Sequence, residues 1–151
     1  MRHFRQQCGV VTQSPSMMSG SLRHNVTISA PGATDSEVWE ALEAAALADE
    51  VRCMPLGLAT PLGDGGLGLS GGQLQRLSLA GALARSPRLL ISDESTAMID
   101  REGRAQLMGV LASLPSRGIA VVHVTHDAGE VAGAERVIQL AKASGVYEGD
   151  L

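Results

Sequence analysis

Aromatic residues are nearly absent from this chain, which contains one Phe, one Trp and one Tyr among 151 residues. A core must therefore be built from aliphatic side chains and methionine, and a surface that stacks bases on aromatic rings is not expected. The formal net charge of −4 also lacks the basic excess that is typical of nucleic-acid binding. We therefore predict that nucleic acid is not among the partners of this chain.

Cysteines and long apolar runs are also scarce. Cys8 and Cys53 lie far apart without metal-ligand spacing, so we expect free thiols rather than a disulfide or metal framework. No stretch approaches the roughly 18 apolar residues of a membrane-spanning helix, and the opening MRHFRQQCGV lacks the apolar core of a signal peptide. A cytoplasmic chain is expected, and association with a separate membrane partner stays open.

Short strands and helices are predicted to alternate along one globular domain, since 44% of the residues are hydrophobic. Buried strands are predicted at CGVVT (8–12), RLLIS (88–92), IAVVHVT (119–125) and RVIQLA (136–141). Longer helices are predicted over 34–51, where Thr34 and Glu37 form a capping box, from Ser70 to Pro87, and from the cap Asp100 to about residue 114. Between them, the Pro- and Gly-rich residues 53–68 indicate an extended loop. This order predicts an α/β fold with a parallel sheet.

The stretch GLGLSGGQLQRL, residues 66–77, satisfies three patterns at once. Gly66, Gly68 and Gly71 match the dinucleotide-binding G-x-G-x-x-G, and residues 68–72 match the hydrolase pattern G-x-S-x-G. Both patterns require a buried strand directly before them, and TPLGDG is not one. The third pattern, LSGGQ at 69–73, requires only a loop that leads into a helix. The unpaired N–H groups and the dipole of a helix N-terminus favour a phosphate there.

A serine hydrolase stays as an alternative at this point. Ser70, then Asp93 or Asp100, then His126 follow the chain order Ser…Asp…His of some hydrolases. A chain with 18 glycines and 16 acidic residues meets such an order by chance fairly often, so LSGGQ is the favoured interpretation.

The motifs around LSGGQ resemble those of the nucleotide-binding domain of ATP-binding cassette (ABC) transporters. VVTQSP resembles the Q-loop with Gln13, and PLGDGG resembles the acidic loop before the signature in exporters. LLISDE resembles Walker B with Asp93 and Glu94, STAMID the D-loop with Asp100, and VVHVTHD the switch strand with His126 as its H-loop histidine. His123 lies in the same strand and could be mistaken for it. The run MPLGLATPLGDGGLGLSGGQ is similar to peptide or bacteriocin exporters in particular.

This resemblance implies a fold and a set of roles. It implies a RecA-like P-loop NTPase sheet, with residues 14–86 as the α-helical subdomain and 87–151 as part of the core, and ATP and Mg²⁺ as cofactors. Asp93 would hold Mg²⁺, Gln13 would sense it and relay to a transmembrane domain, Glu94 would act as general base and His126 would contact the γ-phosphate.

The resemblance also implies a head-to-tail dimer at the cytoplasmic face of a membrane. In it, Ser70, Gly71, Gly72 and Gln73 would bind the ATP of a second nucleotide-binding domain, and Asp100 would cross the interface. The function expected is ATP hydrolysis that powers export.

One motif of that family, the P-loop G-x-x-x-x-G-K-[ST], has no match in these 151 residues. The single lysine, Lys142, follows no glycine-rich loop. We therefore expect the chain alone to be inactive, to lack strands beside Walker B, and to leave apolar surface and strand edges open. A non-catalytic remnant, or a partner that supplies only the LSGGQ half-site, are the alternatives. Ser92, where Walker B usually has an apolar residue, is a further departure.

Overall fold

The computed structural model describes residues 7–97 and 99–140, which form short strands and short helices. The strands are β1 (Cys8–Thr12), β2 (Gly20–Ser21), β3 (Pro61–Leu62), β4 (Leu89–Asp93) and β5 (Ala120–Val124). The helices are α1 (Leu22–Thr27), α2 (Asp35–Ala44), α3 (Ala48–Cys53), α4 (Gly71–Leu83) and α5 (Arg101–Ser113), with single 3₁₀ turns at Gly57–Ala59, Asp64–Gly66 and Leu114–Arg117.

A parallel sheet with the strand order β1-β4-β5 organises the molecule. Thr12, Asp93 and Val124 lie side by side in its register, so the three strands end at the same level. The helix α4 packs against β1, α1, α2 and α5 and carries the most central part of the core. This arrangement confirms the predicted α/β fold with a parallel sheet.

Side-chain caps set where the longer helices begin. Ser70 and Gln73 form a capping box at α4, as Thr34 and Glu37 do at α2, and Asp100 accepts the N–H of Gly103 at α5. All three helix starts agree with the sequence prediction, because a cap depends on residues within one turn of each other.

The single helix predicted over 34–51 is wrong. It is broken between α2 and α3, where Ala46 adopts the left-handed conformation at φ 53°. Ala46 is therefore exposed, while Leu47 enters the core with no exposed surface. The break leaves the Ala46 carbonyl free to accept a hydrogen bond from Arg76 (2.6 Å).

The sheet differs from expectation in two ways and agrees with it in one. The strand β4 has a neighbour on each side, so the expectation of missing strands beside it is wrong. The strand β5 is an outer strand and is not buried, since Val122 and Val124 are 50% and 45% exposed. Val10, in register with Ile91 and Val122 on the same face, is 54% exposed, so the predicted open apolar surface is present.

The strand predicted at 136–141 is also wrong for residues 136–140, and Ala141 and Lys142 lie outside the described residues. Val137, Ile138 and Leu140 are largely exposed, because within the described ranges no strand pairs with this segment. Among residues 7–97 and 99–140, no helix has the length and apolar character needed to cross a membrane. The division into subdomains at 14–86 and 87–151 stays a prediction.

Candidate functional site

The carboxyl ends of the three parallel strands bring four of the predicted site residues to one edge of the sheet. Asp93 ends β4, Glu94 follows it, Gln13 follows β1 directly, and His126 lies two residues beyond β5. This edge is where open α/β sheets bind their ligands. The structure therefore collects these side chains where a ligand site is expected, although they are up to 113 positions apart in the chain (126 − 13).

Glu94 and His126 form a hydrogen-bonded pair at this edge. The Glu94 backbone turns into the left-handed region at φ 44°, and its N–H donates to the carbonyl of Val124 (2.9 Å). The side chains meet at 3.2 Å between His126 Nδ1 and Glu94 Oε1, and both remain partly open to solvent. A carboxylate only accepts hydrogen bonds, so Nδ1 carries the hydrogen of a neutral ring and leaves Nε2 as its acceptor nitrogen. A solvent-accessible carboxylate held in this way is able to accept a proton from water.

Asp93 provides an exposed carboxylate next to that pair. The described residues contain no cluster of three or more His, Cys, Asp or Glu side chains that would hold a metal ion by themselves. Mg²⁺ is usually bound by one or two carboxylates while phosphates and water complete its octahedral shell. The donors at this edge therefore fit Mg²⁺ that arrives together with a phosphate group.

Gln13 is anchored through its backbone rather than its side chain. Its carbonyl accepts from Nε2 of Gln75 (2.7 Å), a buried residue of α4, and the carbonyl of Thr12 accepts from the same nitrogen (3.2 Å). The Gln13 residue itself is exposed. The loop is thus fixed to α4 while the Gln13 amide stays accessible.

The LSGGQ segment forms the exposed N-terminus of α4. Ser70 Oγ accepts from the N–H of Gln73 (3.2 Å), and the Ser70 N–H donates to Gln73 Oε1 (2.9 Å). The hydroxyl hydrogen of Ser70 is left for another acceptor, and Gly71 and Gly72 have N–H groups without a partner inside the helix. Gln73 is instead engaged at both ends, because its Nε2 donates to Glu50 (2.7 Å).

Two glycines bring this helix start close to Asp100. A Cβ added to Gly72 would lie 3.4 Å from the Cα of Gly103, so the first turns of α4 and α5 touch through their backbones. Asp100 caps α5 through the Gly103 N–H (2.9 Å). The signature segment and Asp100 of the predicted D-loop therefore lie next to each other.

Sequence reasoning missed the ion pair that supports the signature segment. Arg76 is 6% exposed and contacts Glu50 Oε1 at 2.7 Å, and Glu50 in turn accepts from Gln73. Partial burial raises the pKa of Glu50, but the hydrogen bonds from Gln73 and Arg76 outweigh it and the pKa is lowered overall. No sequence pattern signals this pair, because its partners lie 26 positions apart (76 − 50) on different helices.

The hydrogen bonds at Ser70 and His126 bear on the hydrolase alternative. Ser70 bonds with Gln73, whereas His126 bonds with Glu94. Among the described residues, no hydrogen bond joins Ser70 to His126. The geometry therefore offers the hydrolase hypothesis no support.

Comparison with known proteins places these motifs in context. A family model described as ABC transporter matches residues 1–97. An uncharacterized ABC transporter ATP-binding protein, YwjA, of Bacillus subtilis is 38% identical over 135 residues, which are 89% of this chain and 23% of that protein. A multidrug resistance ABC transporter ATP-binding and permease protein of Lactococcus lactis is 34% identical and covers 94% of this chain and 24% of its own length. The chain thus spans about a quarter of the length of these relatives.

A solved structure supports the same comparison. A bacterial Atm1-family ABC exporter with ATP bound matches this chain with a TM-score of 0.75 and 29% identity, over 85% of this chain and 22% of that one. The predicted P-loop NTPase-like fold is confirmed by this likeness.

Proposed function

We propose, since this chain belongs to the ABC transporter family, that it forms part of an ATP-hydrolysing nucleotide-binding domain that powers export across a membrane. The observation that carries this proposal is the placement of Asp93 beside the Glu94–His126 pair at the carboxyl edge of the sheet. Positioning and charge stabilisation account for most of the catalysis of phosphoryl transfer. A fixed carboxylate and imidazole at a ligand-binding edge suit that reaction.

Each residue at the edge has a distinct part in this proposal. Glu94 accepts the proton of the attacking water, and His126 contacts the γ-phosphate with Nε2 while Nδ1 stays bonded to Glu94. Asp93 and the Gln13 amide hold Mg²⁺, which when bound neutralises charge on the phosphates. Gln13 also passes changes in its position on to a transmembrane domain. The contact that supports this role is the hydrogen bond from Gln75, which fixes the Gln13 loop to α4.

The exposed start of α4 serves a second nucleotide. Ser70, Gly71 and Gly72 offer a hydroxyl and two N–H groups to a phosphate held by another nucleotide-binding domain in a head-to-tail dimer. Gln73 supports this surface from inside, since both ends of its amide are already engaged. Asp100 lies on the same surface and contacts the other domain across the dimer interface.

A membrane partner and a cytoplasmic location belong to the same proposal. The Lactococcus lactis relative is described as an ATP-binding and permease protein, which supports a transmembrane domain as partner at the cytoplasmic face of a membrane. A chain that supplies only the LSGGQ half-site is the second candidate. It is favoured by the capping box, through which Ser70 and Gln73 fix the start of α4.

Mixing this chain with an ABC nucleotide-binding domain tests the half-site. The added domain has an intact P-loop and a disabled signature serine, and ATP hydrolysis is measured with and without this chain. We expect this chain to restore hydrolysis, Ser70→Ala to abolish the gain, and the control Ser78→Ala on the same helix to keep it. Equal rates of ATP hydrolysis with and without this chain would contradict the proposal that this chain supplies the LSGGQ half-site.

A further inference from the structure

A buried line of hydrogen bonds lies beneath the Glu94–His126 pair. Ser95 Oγ and Ser92 Oγ are 2.6 Å apart, Ser92 Oγ lies 3.0 Å from His123 Nδ1, and His123 Nε2 lies 2.9 Å from Glu130 Oε2. Ser92 has no exposed surface, and the side chains of His123 and Glu130 are 14% and 5% exposed.

These residues flank the site residues in the chain. Glu94 lies between Ser92 and Ser95, and His126 lies between His123 and Glu130. The line therefore joins the turn after β4 to the loop after β5, below the point where Glu94 and His126 meet.

Glu130 is held as an anion in this line. Burial raises its pKa, but the nearby hydroxyls of Thr96 and Thr125 and the His123 ring outweigh that effect and lower the pKa overall. Arg104 adds a nearby positive charge, with its Nε 3.7 Å from Glu130 Oε1. The carboxylate is therefore an acceptor only.

With His123 neutral, that charge fixes the direction of every bond in the line. An acceptor at Oε2 requires the hydrogen of a neutral His123 to sit on Nε2, which leaves Nδ1 as an acceptor for the hydroxyl of Ser92. Ser92 in turn accepts from Ser95. His126 has the opposite arrangement, because its Nδ1 donates to Glu94.

We propose that His123 and Glu130 are positioning residues that fix the loop over 125–130 so that His126 presents Nδ1 to Glu94. Inside this loop, Asp127 accepts from the N–H of Gly129 (2.8 Å) and donates its own N–H to Thr125 Oγ1 (3.0 Å), so these bonds connect residues 125–129 to one another.

A further contact of this loop with the body is an ion pair between Asp127 and Arg104 at 2.6 Å. Both of those side chains are more than a third exposed, and such pairs hold weakly. The buried bond from His123 to Glu130 is therefore the anchor. The catalytic consequence of this anchor rests on the proposed function, whereas the anchor itself does not.

Nitrogen-15 NMR of the nucleotide-free wild-type chain tests the bond directions. We expect His123 to be protonated at Nε2 and His126 at Nδ1, seen as opposite patterns of ring nitrogen shifts. Finding His123 protonated at Nδ1, or rapid averaging between both forms in His126, would overturn the proposal. This readout needs no substitution, so it stands even where a variant fails to fold.

Variants then test the anchor. Glu130→Gln keeps an acceptor for His123 but removes its charge, so the bond weakens, amide exchange over 125–130 should rise by about ten-fold, and the His126 tautomers should average. His123→Gln keeps a donor toward Glu130 and should retain the His126 pattern. The control Glu135→Gln removes the same charge at an exposed residue and should change neither readout.

Unchanged exchange and an unchanged His126 pattern in Glu130→Gln would overturn the positioning role. Because every measurement is made without nucleotide, a chain that never hydrolyses ATP would refute the proposed function and leave this result intact.

Discussion

Replacing Arg76 by methionine should weaken the fold far more than its place within a helix suggests. Its guanidinium donates to the carbonyl of Ala46 (2.6 Å) and to that of Gly72 (3.3 Å) and pairs with Glu50 (2.7 Å). These contacts tie the break between α2 and α3 to the first turn of α4. Arg76→Met keeps most of the aliphatic stem and removes only the charged head.

The size of the loss follows from what each partner keeps. The carbonyl of Gly72 retains its bond within the helix, and Glu50 is 37% exposed, so water replaces part of its lost partner. The carbonyl of Ala46 loses a bond to a charged group, which contributes about 1.5–3 kcal/mol. Adding a discounted share for the pair gives a loss of about 2–4 kcal/mol in the free energy of unfolding.

Urea denaturation followed by circular dichroism measures this loss. The matched control is Arg85→Met, since Arg85 is exposed just beyond the same helix, and we expect it to change stability by less than about 0.5 kcal/mol. A loss below about 1 kcal/mol for Arg76→Met, similar to the control, would refute the reasoning that this side chain joins the two regions.

Three further changes have expected outcomes. Gly103→Ala would place a Cβ 3.0 Å from Asp100 Oδ1 and 3.3 Å from the Cα of Gly72. Disturbing this cap and contact should outweigh the helix-propensity gain and destabilise the chain by about 1 kcal/mol in urea denaturation. Thr34→Ala removes a capping box and should lower the free energy of unfolding by about 0.5–2 kcal/mol. Acid should also destabilise the fold. Folding lowers the pKa of Glu130, so its contribution to the free energy of unfolding is complete at pH values above its unfolded-state pKa. The contribution is lost as the pH falls through its folded-state pKa.

Each of these outcomes has its own check. Gly109 has open space around its Cβ position, so Gly109→Ala should stabilise the same helix by up to about 1 kcal/mol. If Gly103→Ala stabilised the chain equally, the close backbone contact would be disproved. Ser36→Ala, in the first turn of α2, should lower the free energy of unfolding by less than Thr34→Ala does. Unfolding midpoints measured from pH 6 down to pH 3 should fall less steeply in Glu130→Gln than in the wild type. Parallel plots of midpoint against pH for the two proteins would contradict the assignment of this pH dependence to Glu130.

Local features of the fold could be predicted from the sequence because their causes are local. The caps at Ser70, Thr34 and Asp100 each involve residues within one turn. The break at Ala46 could not be predicted, since no glycine or proline marks it and its carbonyl finds its donor 30 positions later. The exposure of β5 also depends on which strands pair beside it, which an apolar run alone does not reveal.

The candidate site divides in the same way. Asp93, Glu94 and His126 could be named from short motifs, and their meeting at one sheet edge follows from parallel strands that end in register. His123 and Glu130 could not be assigned, because their role depends on burial and on bond directions.

The most direct test of the central claim is ATP hydrolysis by this chain with a P-loop-bearing segment of an ABC nucleotide-binding domain added in trans. The rate for the wild-type chain is compared with that for Glu94→Gln, with Glu135→Gln as control. The account predicts magnesium-dependent hydrolysis that falls by at least about a hundred-fold in Glu94→Gln, which is the typical contribution of a general base, and is unchanged in the control. Equal rates for the wild type and Glu94→Gln would contradict the claim that this edge of the sheet is the hydrolytic site.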